Sequence, residues 1–231
     1  EILIGLVGSE MCIRDSAKGI NPPFLTSDGN AKNVTGYHIR LGVDTTYVQG
    51  DSEVGLVIMR YAEALLSYAE AAEELGKCDD AVLEKTLKPL RERAGVKYVK
   101  PVTVDPNFTD YGYALTPVLQ EIRRERRVEL ALQGYRLDDL MRWGGAKVIV
   151  NKRGRGAYLG KDAVLYKSFT EEQQSKLTTI LTDGSQWMDP LQELLPNGYQ
   201  FVAGRDYLLP IPPSELKLNR QMKQNPGWGE E

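Results

Sequence analysis

The stretch Glu125–Gly144, ERRVELALQGYRLDDLMRWG, carries the reading of this chain. Its first half belongs to a helix that begins at Thr116 and Pro117, a capping hydroxyl followed by a proline at the first helical position, where its missing N–H costs nothing. The helix is expected to run to about Gln133 and to stop at Gly134, with a shorter helix over 136–143 closed by Gly144 and Gly145. Helical spacing sets Glu121 against Arg124, Arg126 against Glu129, and Asp138 and Asp139 against Arg142. The apolar neighbours Val128, Leu130, Ala131 and Leu132 leave Glu129 little room for solvent, so it is expected partly buried against an arginine.

Upstream, Ile58, Ala62, Leu65, Leu66, Ala69, Ala72 and Leu75 recur at three- and four-residue steps, one face of a helix over 57–76 that Gly76 ends. Asp79 or Asp80 caps a second helix, with Ala81, Val82, Leu87 and Leu90 on its inner side. Pro89 predicts a kink or break between Leu87 and Leu90. The two helices make a hairpin of tetratricopeptide character, though with an incomplete repeat signature, and one hairpin must stack on something else. Further along, Thr170 to about Leu181 reads as a polar helix, and Tyr207 to Ile211 as a short extended piece. The class is mainly α: helical hairpins with long irregular loops and little strand.

Composition narrows the function classes. A net charge of −3 over 231 residues gives no general electrostatic reason to bind nucleic acid, and no apolar run approaches the roughly 20 residues of a spanning helix. Cys12 and Cys78 make neither a disulfide framework nor a four-ligand zinc site, and the single histidine, His38, excludes His-pair metal motifs. No cofactor or metal is expected. Asp138 and Asp139 point about 100° apart on a helix, a poor arrangement for two carboxylates flanking a glycosidic bond. In GRGAYLGKD, residues 154–162, Arg155 and Asp162 stand where a phosphate loop needs Gly and Ser or Thr, so a basic loop is the better account.

Residues 1–16 carry no secretory signal pattern. The stretch LVGSEMCIRDS, Leu6 to Ser16, resembles the in-frame translation of a transposase-type sequencing adapter. Residues 1–16 are therefore expected to be non-native, and the chain a gene fragment.

Five ordered blocks over about 170 residues, RYAEALLSYAEAAEELGK from Arg60, RERAGV from Arg91, IRRERRVELALQGYRLDDLMRWG from Ile122, YLLPIPPSEL from Tyr207 and QNPGW from Gln224, resemble the C-terminal half of the SusD/RagB family. The family run has the form RRERRIELAFEGHRFFDLRRWG; Leu132, Gln133, Tyr135 and Leu137 depart from it at the level of packing. The resemblance makes 17–231 an incomplete SusD/RagB-like C-terminal region. It implies a non-enzymatic protein, lipid-anchored on the outer face of the outer membrane of a Bacteroidetes-type bacterium. Such a protein captures an oligosaccharide or other nutrient for a SusC-like, TonB-dependent transporter, and touches the membrane only through its anchor. The alternative is a tetratricopeptide-type protein-interaction scaffold.

Sugars are held by aromatic faces with polar side chains on the hydroxyls. Tyr37, Tyr47, Trp187 and Tyr199 are the aromatic candidates on loops. Arg126, Glu129, Arg136, Asp139, Arg142 and Trp143 are expected to serve the fold of the family motif rather than the ligand.

Overall fold

A computed structural model describes residues 35–37, 58–177 and 182–229 of the chain. Nine helices occur among these residues, with no strand and three isolated β-bridges. None of the helices is long and apolar enough to cross a membrane.

Helix α1, Tyr61–Glu74, buries Ala62, Leu66, Ala69 and Ala72, as its three-and-four spacing requires, and Gly76 just beyond it takes the left-handed conformation that lets the chain reverse. Two residues placed on that face do not belong to it. Ile58 precedes the helix and is 87% exposed, and Leu75 is the exposed C-cap. Asp79 caps α2, Asp80–Lys85, by accepting a 2.9 Å hydrogen bond from the Val82 N–H. Ala81 faces solvent, whereas Leu83 is buried.

The expected break at Pro89 falls earlier. The chain leaves helical geometry at Thr86 and resumes as α3, Leu87–Arg93, so Pro89 sits in a first turn whose N–H groups have no helical partner in any case. Thr86, buried where α2 and α3 meet, satisfies its hydroxyl on the Val82 carbonyl at 2.7 Å.

Helix α4, Pro117–Glu129, starts at the predicted cap, with the Thr116 hydroxyl accepting from the Leu119 N–H. It ends four residues before Gln133. The chain turns through 130–133 with Leu132 in the left-handed region, and Gly134 opens α5, Tyr135–Arg142, rather than closing α4. Leu66, Ala69, Leu83, Leu87, Leu90, Ile122 and Leu130 form the main core, between α1, the α2–α3 arm and α4.

Four short helices complete the set: α6, Ala146–Ile149; α7, Val164–Lys167; α8, Glu171–Lys176; and α9, Pro213–Leu218. Thr170 and Gln173 form a reciprocal capping box at the start of α8. A second core of Ala157, Leu159, Phe169, Leu177 and Met188 lies in this loop-rich part.

Residues 207–211, expected extended, form a turn and irregular backbone instead. The reason lies in the QNPGW block. Gln224 accepts from the Ile211 N–H and donates to its carbonyl, while Asn225 and Trp228 donate to the Leu209 and Leu208 carbonyls at 2.7 and 2.9 Å. Side chains thus take the hydrogen bonds that a partner strand would have supplied.

Candidate functional site

Two polar constellations stand out, one within the helices and one on the loops. In the first, Glu70 of α1 is 4% exposed and takes three hydrogen bonds: two from the Arg142 guanidinium at 2.8 and 2.6 Å, one from the Trp143 indole at 2.5 Å. Arg142 also donates to Asp139, 3% exposed, and Arg126 closes on the same carboxylate with its Nε 2.8 Å from both oxygens. Arg126 reaches on to the Ser67 hydroxyl. These contacts tie α1, α4 and α5 together.

Glu129 is not held by Arg126. Its carboxylate meets Arg60 at 2.9 Å and Arg93 at 2.5 Å, because Arg126 turns inward to Asp139. Glu121 does meet Arg124 at 3.2 Å, and Arg142 meets Asp139 at 2.9 Å; Asp138 is exposed and lies outside the network. Arg91 spans Glu121 and Glu125. Burial pushes the Glu125 carboxyl above its ordinary value against the pull of Arg91. Burial works against the Arg91 charge, yet its hydrogen bonds to Glu121 and Glu125 hold it above the ordinary value.

Around Trp143 lies an aromatic box. Tyr111 meets the indole edge-on at 5.8 Å, and Arg123 stacks 4.5 Å from it while donating to the Tyr113 hydroxyl at 2.7 Å. Arg136, grouped with the structural motif residues, makes no ion pair among the described residues. Its nearest polar contact is the Tyr111 hydroxyl at 3.5 Å.

The second constellation is built on residues 150–160. Trp187 faces Tyr158 across an antiparallel bridge, ring centroids 5.4 Å apart. Backbone hydrogen bonds from Gly156 to Met188, Met188 to Ala157 and Leu159 to Gln186, at 2.8 to 3.0 Å, hold the two segments in register. The Tyr158 hydroxyl donates to Asp162 at 3.0 Å. Asp183 caps the turn before Trp187, accepting from the Ser185 hydroxyl and N–H, from the Trp187 N–H, and pairing with Arg155 at 3.0 Å. Burial opposes its ionisation, but these bonds win and hold its carboxyl below the usual carboxylate value. Below this face, Asp189, with no exposed surface, is gripped by Arg153 at 2.6 to 2.9 Å.

The four aromatic candidates divide. Trp187 is half-buried beside Tyr158. Tyr37 is exposed and comes to the same neighbourhood, because the Thr35 carbonyl accepts from the Ala157 N–H at 2.7 Å. Tyr199 is exposed but joins the other end of the segment, bridging Val150 with hydrogen bonds to Asn151 and Lys152. Tyr47 lies outside the described residues, as do His38, Cys12 and the whole of 1–16.

Tyr158, Asp162 and Asp183 were not foreseen. The first two fall in the stretch that invites a phosphate-loop reading. Its glycines answer to close approach instead: a Cβ on Gly156 would lie 2.4 Å from the Thr35 carbonyl oxygen and 2.9 Å from the Met188 Cβ. Cys78 offers no nucleophile. Burial, then Glu73 and Asp79, push its thiol up to about 11. Among the described residues no group of acidic, His or Cys side chains is arranged to hold a metal.

Helices joined by ion pairs, with an irregular aromatic loop segment beside them, make this a mainly α protein. The chain belongs to the SusD family, whose model matches residues 7–228. Among solved structures it is similar to BT4246, with 29% identity over 85% of this chain and a TM-score of 0.54. It is also similar to a SusD-like carbohydrate binding protein of Bacteroides fragilis, with 27% identity over 83% of this chain and a TM-score of 0.54. The chain spans 30% and 34% of those two structures. No match was found among curated proteins.

Proposed function

We propose that the protein to which this chain belongs captures an oligosaccharide, or another nutrient, at the bacterial cell surface and passes it to a SusC-like, TonB-dependent transporter without breaking bonds. It would do so as a lipoprotein on the outer face of the outer membrane. Membership of the SusD family is the observation that carries this reading, supported by similarity to a SusD-like carbohydrate binding protein.

Within this chain the ligand-contacting face is the loop surface of Tyr158 and Trp187. Two rings tilted at 44° offer apolar faces for a pyranose, with the Asp162 carboxylate at the Tyr158 hydroxyl to receive sugar hydroxyls and Asp183 holding the Trp187 backbone in place. Tyr37 borders this face; Tyr199, at the far end of the segment, is a separate contact.

Isothermal titration of the full-length protein against a panel of neutral oligosaccharides tests the reading. The Trp187→Ala and Tyr158→Ala variants are expected to lose at least about tenfold in affinity, on the scale of one lost stacking contact of 1–2 kcal/mol. Undiminished affinity in both would remove the ligand from this face. Release of reducing ends from any glycan of the panel would overturn the non-enzymatic reading.

A further inference from the structure

Arg123, Arg127, Arg136 and Arg220 are the arginines among the described residues with no carboxylate at ion-pair distance. Arg220 stands apart in the C-terminal region, while Arg123 and Arg136 meet at Tyr111 and Arg127 lies on α4 beside Arg123. Arg123 and Arg127 are one helical turn apart on α4 and share a face. The Arg123 guanidinium lies 5.2 Å from the Tyr111 ring centroid, and Arg136 brings a nitrogen to 3.5 Å from the Tyr111 hydroxyl and its guanidinium carbon to 5.9 Å from the Trp143 ring.

Three positive charges in one corner of a protein that neutralises its other helical arginines call for an explanation. Stacking explains Arg123 in part, yet its Nε is a buried donor with no acceptor, in a side chain 4% exposed. Arg127 is exposed and Arg136 half-buried, so both can meet a ligand. Burial first, and the Arg136 charge second, push the Arg127 guanidinium below its ordinary value, so the two arginines repel one another. Planar guanidinium forks match oxyanions in two-point contacts, and an oxyanion would remove the repulsion.

We infer that Arg127 and Arg136, backed by Arg123 stacked on the Tyr111 ring, form a binding site for one oxyanion: a sulfate, phosphate or carboxylate group, free or carried on an acidic sugar. The site lies on the helical motif rather than on the loop face, so failure of neutral oligosaccharides to bind leaves it standing.

The test uses the full-length protein. Thermal unfolding and titration are followed with sodium sulfate, sodium phosphate, glucuronate and a sulfated oligosaccharide, each against sodium chloride of equal ionic strength. A saturable rise in Tm beyond the chloride control is expected. In Arg127→Gln/Arg136→Gln the apparent affinity is expected to fall at least about tenfold, while Arg220→Gln leaves it unchanged. The charge-preserving pair Arg127→Lys/Arg136→Lys, which keeps the electrostatics of the folded chain, is expected to weaken binding several-fold by losing the forks. An oligosaccharide that binds tenfold more tightly than free sulfate supports a sugar-borne anion; equal affinities support a free ion. No rise beyond chloride in the wild type, as when an acidic side chain elsewhere in the full-length protein already fills the site, would overturn the inference. So would an identical rise in both double variants.

Discussion

Each of two regions buries a carboxylate under an arginine, and each does it by different means. In the helical region Asp139 lies between Arg126 and Arg142, with Arg142 three residues away on the same helix and Arg126 thirteen residues away on the preceding one. In the loop region Asp189 is held by Arg153 across 36 residues of chain, and the two segments meet through a few backbone hydrogen bonds and a tilted ring pair. Helical periodicity fixes the first charge network; chain return through turns and glycines fixes the second. A helical network therefore fails by loss of a charge, and a loop network by loss of space.

Charge removal in the helices is expected to have the largest effect. Arg126→Leu strands half of the buried Asp139 carboxylate's partners and should lower unfolding free energy by about 3 kcal/mol, read by urea unfolding. A loss below about 1 kcal/mol would show that Arg142 alone suffices, and that the two regions are less different than their geometry indicates. In the loops the corresponding sensitivity is steric. Gly156→Ala pushes a methyl group into the Thr35 carbonyl and should cost about 1–3 kcal/mol. Unchanged stability there would mean that the Thr35–Ala157 contact contributes little.

A subtler contrast is in pH. The Asp183 carboxyl has its folded pKa depressed, so its contribution to stability is present above the usual aspartate value of 3.8 and is lost as pH falls through the lower folded value. Wild type should exceed Asp183→Asn in stability at neutral pH, and the gap should close below about pH 3.8. A constant gap down to strong acid would assign the effect to shape rather than charge. Glu125 acts in the opposite sense: with its carboxyl raised by burial, its contribution favours the folded state below the usual glutamate value and declines as pH rises toward the folded one.

The smallest effect is chemical. With its thiol raised from 9.0 to about 11, Cys78 should present roughly 100-fold less thiolate near neutrality than an ordinary thiol. Labelling with a maleimide at neutral pH should be correspondingly slow, and rapid labelling would show that the end of α1 opens.

The same contrast governs what could be read in advance. Helices α1, α4 and α5, the Thr116 cap, a second cap at Asp79 or Asp80 and the mainly α class followed from spacing, because each depends on residues three or four apart. The family blocks were visible for the same reason in the helices, and in Tyr207–Trp228 because amide side chains there bond a backbone that no strand covers. The Pro89 break was foreseen but misplaced, since whether proline ends a helix or begins one depends on where the previous turn stops.

By itself the sequence placed helices α1, α4 and α5 and, of the four local ion pairs that helical spacing offered, Glu121–Arg124 and Asp139–Arg142, whose partners the pitch of a single helix brings together. Only the tertiary structure decided which charges met across elements: Glu70 with Arg142 and Trp143, Glu129 with Arg60 and Arg93, and Arg123, Arg127 and Arg136 with no ion-pair partner among the described residues. It also decided that Tyr158, rather than any residue singled out beforehand, stands beside Trp187. The physical reason is common to both. A partner separated by tens of residues is chosen by the path of the chain and the packing of its core, and no local period records that path.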